Sequence, residues 1–433
     1  MQDRYNGRHG IDDTDAIAAY ERAVAALAGH RPSAGAALDE AITRAPDFVA
    51  GHALKGFALL TLGREEMRPG AIQAAAKARS AARRSARLTE SESVLVDALD
   101  LAVAGRFLDA SAHLEARLRE EPLNFLLLKL AHALRFMAGD TPGMLAATSS
   151  VIHAWRSDED ASGYVFGCHA FALEEAGRYA EAERFGEVAL ALAPDDAWGL
   201  HALSHVDEMN RRVAIGIRRL ESTRDVWSRC NNFQFHMAWH LALMCLESGD
   251  AERALALYDE DIRPQPTDDY RDVANAASLL WRLRLAGVSV GDRWEELAVL
   301  ARRRAAETTL MFASLHHMLS LAATGDTQGL DAALAAWEAH AASGTGDQAC
   351  VAASVGLDLA RVVAGRRTDF ARVMGRLPAI GGSAAQRDVF VQTLVHAARS
   401  AGDGEAVRSI LALRRRQRGE DAFGNRMASL EAA

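Results

Sequence analysis

The chain has 433 residues, 49% of them apolar, 25% charged and 6% aromatic, with a formal net charge of -9. That length and apolar content can bury a large core without disulfides or a structural metal, which excludes a disordered or collagen-like chain. The balance of 58 Asp plus Glu against 49 Lys plus Arg argues against nucleic acid, whose phosphates call for a broad positive field. The opening stretch, MQDRYNGRHGIDDTDA, lacks an apolar signal core, and no apolar run reaches the roughly 20 residues that span a bilayer. We therefore expect no membrane partner and a cytoplasmic location. The scattered Cys168, Cys230, Cys245 and Cys350, with no CxxC pair, are expected to be free thiols.

From there the pattern is Ala, Leu and Glu at helical spacing, interrupted by Gly-Arg, Gly-Asp or Pro-Asp, with few β-branched runs. The first unit reads AALAGHRPSAGAALDEAITRAP, with Gly29, Ala34, Ala41 and Pro46. The Gly, Ala and Pro offsets return in LAVAGRFLDASAHLEARLREEP at Gly105, Ala110 and Pro122, with Phe107 two residues after the turn glycine. The clearest unit is 163–196, where Gly177 and Tyr179 mark a turn, Ala182 and Ala189 allow close packing, and Pro194 ends the second helix. It resembles the tetratricopeptide repeat, a helix hairpin that buries its apolar face only against neighbouring hairpins. Turn residues at Gly29, Gly63, Gly105, Gly139, Gly177, Asn210, Gly249, Gly287, Gly325, Gly365 and Gly402 lie 33 to 42 residues apart. The expected fold is thus all-α: a tetratricopeptide-like solenoid of about eleven hairpins over 1–433, whose curvature can close it into a superhelix. Residues 413–433 are expected to form a C-terminal cap and frayed tail. The arginines between Arg414 and Arg418 read as helix-dipole partners on a solvated face.

Between Ala161 and Arg284 the order of local motifs is SGYVFGCHAFALEEAGRYAEAE, APDDAWGLHALSHVDEMN, FQFHMAWHLALMCLESGDAERALALYD and DVANAASLLWRL. This order resembles the tetratricopeptide repeat protein 38 family, and FVAGHALKGFALL and VSVGDRWEELAVL extend the likeness more weakly. The resemblance implies an intracellular helical repeat protein and carries over no catalytic activity. It is borne most specifically by His201, His205, Glu208, His236 and His240.

His169, His201, His205, His236 and His240 fall in the first helices of three consecutive repeats, the helices that line the concave face in this repeat class. His201 and His205 are four apart with Glu208 three further on, and His236 and His240 repeat the spacing, so each set shares a helical face. Imidazoles with a nearby carboxylate are the ligand types of Zn or Fe, which nominates His201, His205, His236 and His240 as metal ligands. HALSH lacks the Glu that follows the first His in H-E-x-x-H hydrolases, so that mechanism does not transfer. Without metal, His201, His205 or His240 can serve as a general base, with Glu175 or Glu208 orienting a ring. The plain alternative is that these rings only bond one another across packed helices.

His169, His236, Trp239, Trp281 and His316 are candidate ligand-binding residues, the two indoles offering rigid apolar walls. Asp259 and Asp272 are expected to pair with Arg282 or Arg284, and Cys168 and Cys245 to be inert buried thiols. No Gly-rich phosphate loop or Rossmann fingerprint is present, so no nucleotide cofactor is indicated. Two functions compete: a scaffold whose concave surface recognises a peptide or small ligand, or a small-molecule hydrolase or lyase built on the histidine-rich centre.

Overall fold

The computed structural model describes residues 1–366 and 368–432. Among them the secondary structure is helical throughout apart from one isolated Gln2–Arg8 bridge, and successive helix hairpins pack side by side. The all-α hairpin architecture expected from periodicity is thus present. No helix among the described residues is long and apolar enough to cross a membrane. Contacts gather into two compact units, Met1–Leu203 with Val226–Asn231, and Ser204–Asp225 with Asn232–Ala433.

Every turn marker from the sequence falls between two helices. A reversal that tight needs a left-handed residue, which glycine adopts without a Cβ penalty; Gly177 and Gly249 take it with φ of 75° and 88°. At two markers the step is displaced by one residue. Gly29 has φ -85° and His30 takes the left-handed conformation at 54°, while beyond Asn210 it is Arg211, at 61°. Among the repeats longer than 34 residues, one contains the 17-residue helix Arg68–Arg84 and two contain π-helical turns, at Tyr258–Ile262 and Ala352–Gly356.

In the first unit an N-terminal hook precedes the hairpins. The Asp3 carboxylate accepts from the backbone N–H groups of Tyr5 and Gly7 and pairs with His9 Nε2 at 2.7 Å, and the Tyr5 carbonyl accepts from Phe125 N. The hook also touches the start of Glu90–Val103, where Thr89 and Glu92 form a capping box and Glu92 accepts from Gly10 N. Two otherwise unmatched donors are satisfied there. Thr89→Ala is expected to lower stability by about 1 kcal/mol, read as a shift in the urea midpoint at constant slope; an unchanged midpoint would mean the cap contributes nothing.

The two helices of a hairpin differ in burial, and that difference positions the candidate residues. The outer helix Tyr179–Leu192 buries only Ala182, Gly186 and Ala189. These are small because the next layer comes close: a Cβ on Gly186 would lie 2.8 Å from Leu203. Inner helices are buried nearly all round, as in Phe233–Glu247, where every residue from His236 to Cys245 is buried. A histidine on such a helix has no water to turn to, so its nitrogens must be matched by other protein groups or a bound ligand.

The C-terminal basic cluster differs from expectation. In the second unit Gly404–Arg418 is followed by Ala422–Ala432, and the buried Arg414 and the largely buried Arg418 face carboxylates rather than water. Arg415 and Arg416 keep the exposed position that dipole partners were expected to have. The expected tail runs to Ala433, which lies outside the described residues.

Candidate metal centre

His205 lies on Ala197–Met209, and His236 and His240 one turn apart on Phe233–Glu247. All three rings belong to the second unit. His205 Nε2 is 3.1 Å from His240 Nε2, which is 3.2 Å from His236 Nε2. His205 and His240 are fully buried and His236 nearly so. His201 lies one turn before His205 on the same continuous helix, in the stretch that contact density assigns to the first unit. The three rings of the second unit converge closely enough to have the geometry to hold a divalent metal.

The outward nitrogens of two rings face oxygen. His236 Nδ1 is 2.8 Å from Asn275 Oδ1, and His240 Nδ1 is 3.5 Å from Glu208 Oε2. An amide oxygen and a carboxylate both only accept, so with Nδ1 as the donor each ring turns an Nε2 lone pair inward. The His240 Nε2 lobe then meets two neighbouring nitrogens, and at most one of those contacts can be a hydrogen bond. A cation shared by the three removes the conflict. Two nitrogens each about 2.1 Å from one ion lie about 3.0 to 3.4 Å apart for angles between octahedral and tetrahedral, which brackets the observed separations. Backing of ligand histidines by oxygen acceptors is the usual outer-shell arrangement of metal sites.

Charge in the surroundings supports this layout. Burial lowers the His240 ring to about 4, against the Glu208 carboxylate, which favours its charged form. Burial alone would raise the Glu208 carboxyl, but the His240 hydrogen bond and the Arg418 charge, 3.1 Å away, outweigh it and hold the carboxyl at about 2. Glu208 is therefore an anion with a proton-bearing ring on one side and a guanidinium on the other.

The remaining candidates each have protein partners. In the second unit Trp239 stacks on His236 and donates to Ser278 Oγ at 3.0 Å. Trp281, half-buried, donates to Thr393 Oγ1 at 2.9 Å and packs edge-on against Trp294. His316 donates from Nδ1 to the Phe312 carbonyl at 2.8 Å and contacts Phe390. In the first unit His169 Nδ1 bonds Thr148 Oγ1 at 2.9 Å with its ring edge-on to Phe185, and Glu175 ends Ser162–Glu175, half-buried. Cys168 and Cys245 are buried, and burial raises both thiols, as inert thiols require.

Spacing alone did not single out the supporting shell. Asn275, Ser278 and Arg282 share a face of Tyr270–Leu285 at intervals of three and four, a signal present in the sequence but without a recognised partner. The acidic partners expected for Arg282 lie elsewhere: Asp259 pairs with Arg293, and Asp272 accepts from Asn232 and Thr267, each at 2.6 Å. Arg418 was legible only as one of a basic run.

No family model matches the chain. Among solved structures it is similar to one described as "Structure of Naa15/Naa10 bound to HypK-THB", with 13% identity and a TM-score of 0.26. The match covers 96% of this chain, which spans 66% of that chain's length.

Proposed function

We propose that the protein is a metal-dependent enzyme acting on a small molecule, as a hydrolase or lyase, with Zn or Fe bound by His205, His236 and His240, joined by His201. We further propose membership of the tetratricopeptide repeat protein 38 family, on the motif order between Ala161 and Arg284. The observation that carries the metal assignment is the convergence of three Nε2 atoms at 3.1 and 3.2 Å while two of the rings present Nδ1 to oxygen. A bound divalent ion supplies Lewis acidity and an activated water. Glu208 orients His240 and, as a buried anion beside the cluster, is the group placed to accept or return a proton. Peptide recognition on a concave surface is the secondary reading, because it draws only on the general habit of helical repeats.

Metal analysis of the full chain, purified without an affinity tag, tests the assignment. Roughly one equivalent of a divalent transition metal is expected, and it should be lost from the paired His201→Ala, His240→Ala variant together with any turnover of small esters or amides. Wild-type protein that retains no metal after incubation with Zn or Fe(II), or a variant that keeps full occupancy, would sink the proposal.

A further inference from the structure

The second unit contains a cavity of about 300 Å³ beside the histidine cluster, with Glu208 on its wall. Its lining includes five arginines and four carboxylates, an excess of one positive charge when all are ionised. Most of the charge is internally matched: Arg414 is clamped by Asp388 and Asp421, and Arg418 reaches Asp388, Asp421 and Glu208.

Of the three lining arginines without such a clamp, Arg211 is exposed and Arg426 half-buried, and Arg282 is the buried one. It is 4% exposed, and among the described residues its guanidinium has no carboxylate within salt-bridge distance. Nη1 donates to the Ser278 carbonyl at 3.2 Å and to Ser278 Oγ at 2.7 Å, and Nη2 to the Ala385 carbonyl at 2.7 Å. Those three bonds, with the Trp239 ring 5.4 Å beneath, fix its direction and leave two of its five N–H donors for a ligand. Burial lowers this guanidinium to about 10, against the Asp388 and Glu208 charges, which favour its charged form without reaching hydrogen-bond distance. A buried charge of that kind is costly unless it meets a partner.

We propose that this cavity binds a small organic monocarboxylate, its carboxylate on Arg282 and its carbon body against Leu243, Met244 and Val288. One negative charge neutralises the lining, whereas a phosphate dianion would be repelled by the four carboxylates. The apolar wall suits a carbon chain rather than an inorganic anion. Binding rests on the cavity alone; the further role, that the bound acid is the substrate class of the adjacent centre, rests on the metal-enzyme reading above.

Calorimetric titration of the full chain as purified, with hexanoate, benzoate, hexanamide and inorganic phosphate, tests the assignment, with metal content measured on the same samples. Hexanoate or benzoate should bind, and neutral hexanamide should bind at least about tenfold more weakly, the worth of one charge-assisted hydrogen bond. Arg282→Gln should weaken carboxylate binding about ten- to a hundredfold at unchanged metal content, with Arg282→Lys retaining part of it. Absence of carboxylate binding to the wild-type chain, equal binding of amide and acid, or preference for phosphate each overturns the proposal without needing a variant to fold. Carboxylate binding without metal leaves this inference standing and removes the metal reading; metal without carboxylate binding does the reverse.

Discussion

Replacing Asp388 by Ala is expected to destabilise the second unit by about 3 to 5 kcal/mol, because it takes a shared carboxylate from the buried Arg414 and the largely buried Arg418 rather than removing a surface contact. Asp388 Oδ1 accepts from Arg414 Nε at 2.6 Å, and Oδ2 lies 3.0 Å from Arg414 Nη2 and 3.1 Å from Arg418 Nη1. Asp421 holds the same two arginines from the other side, and Arg418 continues to Glu208. The chain Asp421–Arg414–Asp388–Arg418–Glu208 thus ties the C-terminal helices to the carboxylate that backs His240. An exposed pair such as Arg4–Asp160, half-exposed on both sides, contributes about 0 to 1 kcal/mol. Urea unfolding of Asp388→Ala beside Arg4→Ala separates the two cases. A loss under about 1 kcal/mol for Asp388→Ala would show that water enters and solvates the arginines. Asp388→Ala should also reduce metal occupancy if Glu208 depends on Arg418 for its position.

Acid destabilisation should begin near pH 6.5, above the usual carboxylate range. Burial lowers His132 and His316 to about 3 and His169 and His317 to about 4, from an ordinary 6.5. Below pH 6.5 the unfolded chain therefore binds protons that the folded chain does not, so stability falls as pH falls, with the loss accumulating down to about 4 and then 3. At pH 5 each such ring opposes folding by up to about 2 kcal/mol relative to pH 7. Glu208 at about 2, and Asp388 held further below its usual range by Arg414 and Arg418 against the opposing effect of burial, contribute stability that is lost only below about pH 4, whereas burial raises Asp196 to about 7 and Asp272 to about 6, so their protonation in the folded chain offsets part of the histidine effect. Unfolding free energy measured from pH 7.5 to 5 should fall steeply, and His317→Gln should flatten the slope. A flat profile over that range would mean that the rings are protonated or hydrated in the folded chain.

Much of the fold was legible because hairpin turns leave a chemical mark. Gly177, Gly249 and their counterparts stand where the backbone must become left-handed, and small residues such as Ala182, Gly186 and Ala189 recur where helices approach closely. The exceptions at His30 and Arg211 show the limit of that signal, since a non-glycine residue can take the same φ when the surrounding hairpins hold it. For the site, the i, i+4 spacings of His201 with His205 and of His236 with His240 nominated all four rings, and the structure supplies the distances, bringing His205 to 3.1 Å from His240 on a different helix.

What the sequence determined by itself is local: helix periodicity, turn positions, and which helices are apolar all round and therefore inner. What only the tertiary structure decided is pairing between helices far apart in the chain. Asn275 backing His236, Arg418 reaching Glu208 across 210 residues, and Arg282 left facing a cavity instead of an acid are of this kind. The physical reason is that a buried charge or lone pair is defined by what surrounds it, and a basic run reads the same in sequence whether its arginines meet water, as Arg415 and Arg416 do, or carboxylates, as Arg414 and Arg418 do.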